Sequence, residues 1–90
     1  MNTSDPSRPR AKDVWFTRGH MHVELTDGRI IVARADRYRR LARATSAQRN
    51  RWELIGKGVG IRWPEIDEDL STEGLLRDAL SVRSARRLAG

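Results

Sequence analysis

Met21, Val23 and Leu25 alternate with His20, His22 and Glu24, and Asp27-Gly28 then separates this run from a second one, Arg29 to Arg34. A period of two sends the apolar side chains of a strand to one face. Asp-Gly is a favoured pair for a two-residue type I′ hairpin turn, because both residues tolerate positive φ. The pattern predicts a hairpin with Asp27 and Gly28 at its tip, Leu25 opposite Ile30 and Val23 opposite Val32. Upstream, Val14 and Phe16 alternate with Trp15 and Thr17 as a short strand, and Arg18-Gly19 permits a bend. Downstream, Val59, Ile61 and Trp63 alternate with Gly60 and Arg62, and Pro64, which cannot donate to a ladder, closes that strand.

Between these runs the period lengthens. From Asp36, Tyr38, Leu41 and Ala42 share one helical face while Arg37, Arg39, Arg40 and Arg43 turn to water. Thr45 followed three residues later by Gln48 fits a capping box, so a fresh helical turn is expected from Ser46 towards Trp52. Leu54 and Ile55 lead into Gly56, Gly58 and Gly60, which permit a turn and close backbone approach. Glu65, Asp67, Glu68 and Asp69 around Ile66 read as an acidic turn. Ser71 is a good N-cap for a helix starting at Thr72, with Glu73 in its first turn, and this helix is expected to bury Leu75, Leu76, Ala79 and Leu80. Together these elements predict an α+β fold: a small, mainly antiparallel sheet of three or four strands with a central hairpin, covered by short helices. The domain should span residues 13–80, flanked by a flexible basic arm (1–12) and a basic C-terminal tail (81–90).

Composition narrows the function classes. Ninety residues suffice for one small domain. The absence of cysteine excludes disulfides and thiolate metal sites and suits a reducing cytoplasm. No apolar run approaches the roughly 18 residues of a membrane span, and MNTSDPSRPRAKD lacks the apolar middle of a secretory signal. The net charge of +6 invites an acidic partner or nucleic acid, although 16 of the 18 basic residues are arginine, a bias that genome composition alone can produce.

Each candidate for chemistry has a plainer alternative. The acidic cluster offers hard-cation ligands but lacks the glycine and distal glutamate of an EF-hand, so a solvated turn or a docking surface for a basic partner fits better. GKGVG feeds a strand rather than a helix, which is the wrong context for a phosphate-binding loop. His20 and His22 project side by side and would need Glu24 or the acidic turn to complete a metal site. Trp15, Trp52 and Trp63 could stack bases, and in a domain this small could equally be core. Nucleophile constellations are missing, so no enzyme activity, cofactor or metal is expected. The strongest feature is charge separation: seven arginines and one acid from Arg34 to Arg51, against five acids and no base from Glu65 to Glu73. Such a surface can meet phosphates, dock a partner, or close on itself.

The runs MHVELTDGRIIVARADRYRRLARAT and WELIGKGVGIRWPEIDEDLSTEGLL resemble the bacterial family known as domain of unknown function number twenty-four forty-two, from about Asp13 to Leu76. The resemblance implies a small α+β module without established chemistry. Some relatives continue into a helix-turn-helix, and others accompany a second small protein in suspected toxin-antitoxin pairs. Fourteen residues follow Leu76 here, too few for a helix-turn-helix. The expected function is therefore a non-enzymatic protein-binding module, antitoxin-like or accessory to a small protein encoded nearby. Its partner-binding residues would be Arg37, Arg39, Arg40, Arg43, Trp63, Glu65, Asp67, Glu68 and Asp69. The alternative is a nucleic-acid-binding regulator that uses the arginine-rich helix and tail. Either leaves a homodimer open and involves no membrane.

Overall fold

The computed structural model describes residues 8–84. The fold is α+β, with two antiparallel sheets in place of the single sheet expected. The first contains β1 (Ala11–Thr17), β2 (His20–Leu25), β3 (Arg29–Arg34) and β7 (Ser81–Ser84) in that spatial order. The second contains β4 (Glu53–Ile55), β5 (Gly60–Trp63) and β6 (Glu68–Ser71). Three short helices, α1 (Arg39–Arg43), α2 (Ser46–Arg49) and α3 (Thr72–Arg77), lie between and beside them.

The first hairpin turn forms at the bend expected, and the second differs from the sequence expectation by one residue of register. Thr17 pairs with His20, so Arg18 and Gly19 form the two-residue turn, and both have positive φ (48° and 80°) as type I′ geometry requires. At the second hairpin Glu24 faces Ile30 and Val23 faces Ile31, so the loop is the three residues Thr26, Asp27 and Gly28. Gly28 alone has positive φ, and its N–H donates to the Leu25 carbonyl at 3.0 Å. Asp27 instead accepts from the Arg29 backbone N–H at 3.0 Å and from Arg29 Nε at 2.8 Å, bonds that close the turn and hold the Asp27 carboxyl below its usual pKa. This one-residue difference in register exchanges faces. Ile31 and Ala33 join Met21, Val23 and Leu25 in the core, while Val32 stands on the outer face beside His22.

Against that inner face pack Ile61 and Trp63 of β5, Leu41 of α1 and Leu75 of α3, all buried. Trp63 is fully buried, meets Phe16 edge to face at 6.5 Å, and donates from Nε1 to the Arg49 carbonyl at 3.0 Å. The sheets also touch through backbone. Gly58 (φ 101°) sits so close to Ala11 that a Cβ there would lie 2.8 Å from the Ala11 nitrogen. Buried Thr72 locks the same turn, donating its hydroxyl to the Gly58 carbonyl at 2.6 Å while its N–H donates to the Val59 carbonyl at 2.9 Å.

Several local expectations hold. Thr45 and Gln48 form a reciprocal capping box, Ser71 caps α3 by accepting from the Gly74 N–H at 2.9 Å, and Pro64 follows the last residue of β5. Others are corrected. The helix expected from Asp36 is a 3-10 turn, Ala35–Arg37, separated from α1 by an extended Tyr38 whose ring packs against the core. Glu68 to Ser71 is a strand, because Arg62 of β5 sits opposite Asp69 and offsets its charge. Order reaches back to Ala11, buried in β1, so the arm expected over 1–12 is shortened, and residues 1–7 lie outside the described range. At the other end α3 stops at Arg77, Leu80 is exposed, and residues 81–84 of the expected tail pair with β3; residues 85–90 lie outside the described range.

Candidate docking surface

The arginine and acid segments meet at two ion pairs, Arg40 with Glu68 and Arg51 with Glu65. The Arg40 guanidinium donates to the Asp67 carbonyl at 2.8 Å and lies 3.9 Å from the half-buried Glu68 carboxylate. Arg51 pairs with Glu65, Arg37 with Asp78 at 3.8 Å, and Arg62 with Asp69 at 3.8 Å. Arg49 turns inward, donating to the Leu41 carbonyl at the end of α1 and lying over the Phe16 ring. Exposed ion pairs of this kind contribute about 0–1 kcal/mol each. Their consequence here is therefore occupancy: four cations of the dipolar surface are already matched.

Of the residues expected to bind a partner, Arg39 and Arg43 stay exposed, and among the described residues neither has an ion pair. Trp63 is removed from the surface altogether, its indole being spent on the core and on Arg49. The four acids do not converge. Glu65 lies in a 3-10 turn, Asp67 takes the left-handed conformation (φ 56°) that ends it, and Glu68 and Asp69 point to opposite sides of β6. Among the described residues no group of three His, Asp or Glu side chains is placed to hold a metal ion. The Tyr38 hydroxyl is buried without a partner, and burial before any neighbouring charge raises its pKa.

Sequence reasoning missed the sheet edges. Among the described residues, the exposed large apolar side chains are Leu54, Ile55, Leu80 and Val82. Leu54 and Ile55 belong to β4, an edge of the smaller sheet; Val82 belongs to β7, an edge of the larger, and Leu80 immediately precedes it. β7 pairs with β3 on one side, Val82 opposite Ile31 and Arg83 opposite Ile30. Edge strands normally protect unpaired N–H and C=O groups with charge, proline or a covering element. Here, among the described residues, the exposed large apolar side chains lie on the outer strands or immediately beside them. The alternation of Val82 and Arg83 between two serines was the available signal.

The outer face of the larger sheet carries His22, stacked on Trp15 with ring centroids 5.4 Å apart and planes within 3°. His22 Nε2 and the Thr17 hydroxyl share a hydrogen bond of 2.8 Å, and buried Nδ1 has no partner. Burial first, then the charges of Arg83 and His20, hold the His22 pKa below 6.5, so the ring favours its neutral form.

Comparison with known proteins agrees with this fold. A family model described as "Protein of unknown function (DUF2442)" matches residues 11–81. The sequence matches none of the curated proteins. Among solved structures, a protein of unknown function from Rhodospirillum rubrum ATCC 11170, determined at 2.75 Å resolution, is similar with a TM-score of 0.69 and 28% sequence identity, over 81% of this chain and 90% of that one.

Proposed function

The chain belongs to the protein family of unknown function DUF2442, and on that footing we propose that it is a non-enzymatic protein-binding module that takes an extended segment of a small partner protein along an open sheet edge. The observation that carries this is the placement of the exposed large apolar side chains on the edge strands β7 and β4 or immediately beside them. Strand addition draws affinity from main-chain hydrogen bonds and selectivity from alternate side chains. β7 offers both, with Val82 and Leu80 as apolar anchors beside Arg83. The acidic turn and α1 serve mainly to fasten the two sheets, so their charges steer at most the approach of a partner. A small protein encoded beside this one, of the antitoxin-pair or accessory kind, is the partner proposed.

The test is co-expression with each adjacent gene product followed by co-purification. Wild type should yield a stable complex at about 0.15 M salt, where loose electrostatic association is screened beyond ~8 Å. Val82→Glu with Leu80→Glu should abolish it, and Arg39→Ala with Arg43→Ala should leave it in place. Retention of the complex by the edge variant would refute the edge as the interface.

A second reading rests on Arg39 and Arg43, exposed and four residues apart on α1 without acidic partners among the described residues. They are the residues through which a nucleic-acid-binding regulator would meet phosphates. Sub-micromolar binding of duplex DNA or RNA at the same salt, lost in the double alanine variant and independent of any partner, would put this reading first.

A further inference from the structure

A groove of about 330 Å³ opens on the outer face of the larger sheet, between the Arg18-Gly19 turn and β7. Arg18, His20, His22 and Arg83 line it together with the hydroxyl residues Thr17 and Ser81. Among the described residues no acidic one does. Elsewhere Arg29, Arg34, Arg37, Arg40, Arg51 and Arg62 each lie within 4 Å of a carboxylate, whereas Arg39 and Arg43 share with this groove the lack of an ion pair among the described residues. Glu24 of β2 is engaged with Lys12, and Asp36, just after β3, with Arg34. Two guanidinium groups therefore face one space beside two imidazoles and two hydroxyls, with no carboxylate in its lining among the described residues.

The backbone favours the same conclusion. Arg18 is held at φ 48°, a conformation glycine or asparagine adopts more readily, at the point where its side chain enters the groove. The His20 ring is fixed by a 3.2 Å hydrogen bond between Nδ1 and the Arg18 carbonyl. Thr17 holds the His22 ring by its Nε2, and Trp15 supports its face. The Arg18 backbone and the two imidazole rings are thus set in place by β1, β2 and their turn before any ligand arrives, which lowers the ordering cost of binding.

We propose that this groove is an oxyanion site that binds the phosphate group of a small phosphorylated ligand. Guanidinium groups arriving from the β1–β2 turn and from β7, with the Ser81 hydroxyl in the same lining, suit a tetrahedral anion with several acceptor oxygens better than a planar carboxylate. The apolar lining, Val32 and Leu80, leaves room for the remainder of a small molecule. The site shares Leu80 and Arg83 with the proposed edge interface, and its phosphate binding is tested on the isolated protein, with no partner added.

The experiment follows the His20 and His22 ring resonances during titration with inorganic phosphate at constant ionic strength and pH, with chloride as the control. Ribose 5-phosphate and a nucleoside 5′-monophosphate are the second and third probes; both carry the same phosphate, and the tighter of the two identifies the source of the group. Saturable shifts of both histidines with phosphate, absent with chloride, are expected. Arg18→Gly is the informative variant, because it removes the guanidinium while relaxing a positive φ, so the fold should be kept or stabilised. It should weaken phosphate binding by about tenfold or more, as should Arg83→Gln. Non-saturating shifts, shifts equal to those with chloride, or unchanged affinity in a folded Arg18→Gly variant would overturn the proposal.

Discussion

Gly58→Ala should be among the most damaging single-methyl additions in this chain, and Gly28→Ala is its internal control. Both glycines have positive φ of nearly the same size, 101° and 94°. Placing alanine at such an angle costs about 1–3 kcal/mol at either site. The surroundings differ. A Cβ on Gly28 meets nothing within 4 Å, whereas one on Gly58 runs into the backbone carbonyl of Ala11 and lies 2.8 Å from its nitrogen. Neither partner can yield like a flexible side chain. Ala11 is buried at the start of β1, and the Gly58 carbonyl is tied to Thr72. Forcing the sheets apart adds an overpacking cost of about 1–3 kcal/mol. Gly58→Ala should therefore exceed Gly28→Ala by about 2 kcal/mol, and for a domain of this size each kcal/mol shifts Tm by roughly 4–8 °C. Urea denaturation monitored by tryptophan fluorescence measures both, with equal m-values confirming a like-for-like comparison. Equal losses in the two variants would refute the close contact between β1 and the Gly56–Gly58 turn, and with it the way the two sheets are joined.

Three further outcomes follow from named contacts. Thr72→Val keeps shape but leaves the Gly58 carbonyl without its 2.6 Å donor, so stability should fall by about 1–3 kcal/mol in the same denaturation assay. Ser71→Ala removes the cap on the Gly74 N–H and should cost about 1 kcal/mol. His22 has a folded-state pKa below its ordinary 6.5, so the unfolded chain binds more protons just below that pH. Stability should then fall as pH drops from about 7.5 through 6.5 and level off once the folded-state pKa is passed, and His22→Gln should shrink the difference in Tm between about pH 7.5 and 5.5.

What could be read in the sequence depended on whether a single signal decided the local structure. Thr45 with Gln48, and Ser71 before Thr72, specify caps by their own side chains, and both formed as expected. The register of β2 on β3 had no such signal. Ile30, Ile31, Val32 and Ala33 are all apolar, so either face could have been the buried one, and the turn chose through the Asp27 carboxylate and Arg29. β6 was hidden because Glu68 and Asp69 disfavour a strand until Arg62 and Arg40 are beside them. Closure of the arginine segment on the acidic one is among the options the charge pattern offers, and the fold realises it in two pairs, Arg40 with Glu68 and Arg51 with Glu65. Whether a strand lies at an edge is a property of topology, so the exposure of Val82 and Leu54 could not be seen from their neighbours in the chain.

Amide hydrogen exchange on the complex with the adjacent gene product tests the central claim most directly. A partner strand added along the edge of the larger sheet should slow exchange within residues 81–83, which pair with β3 in the free chain, while Arg39–Arg43 exchanges as before. Protection confined to α1, with β7 unchanged, would contradict the account.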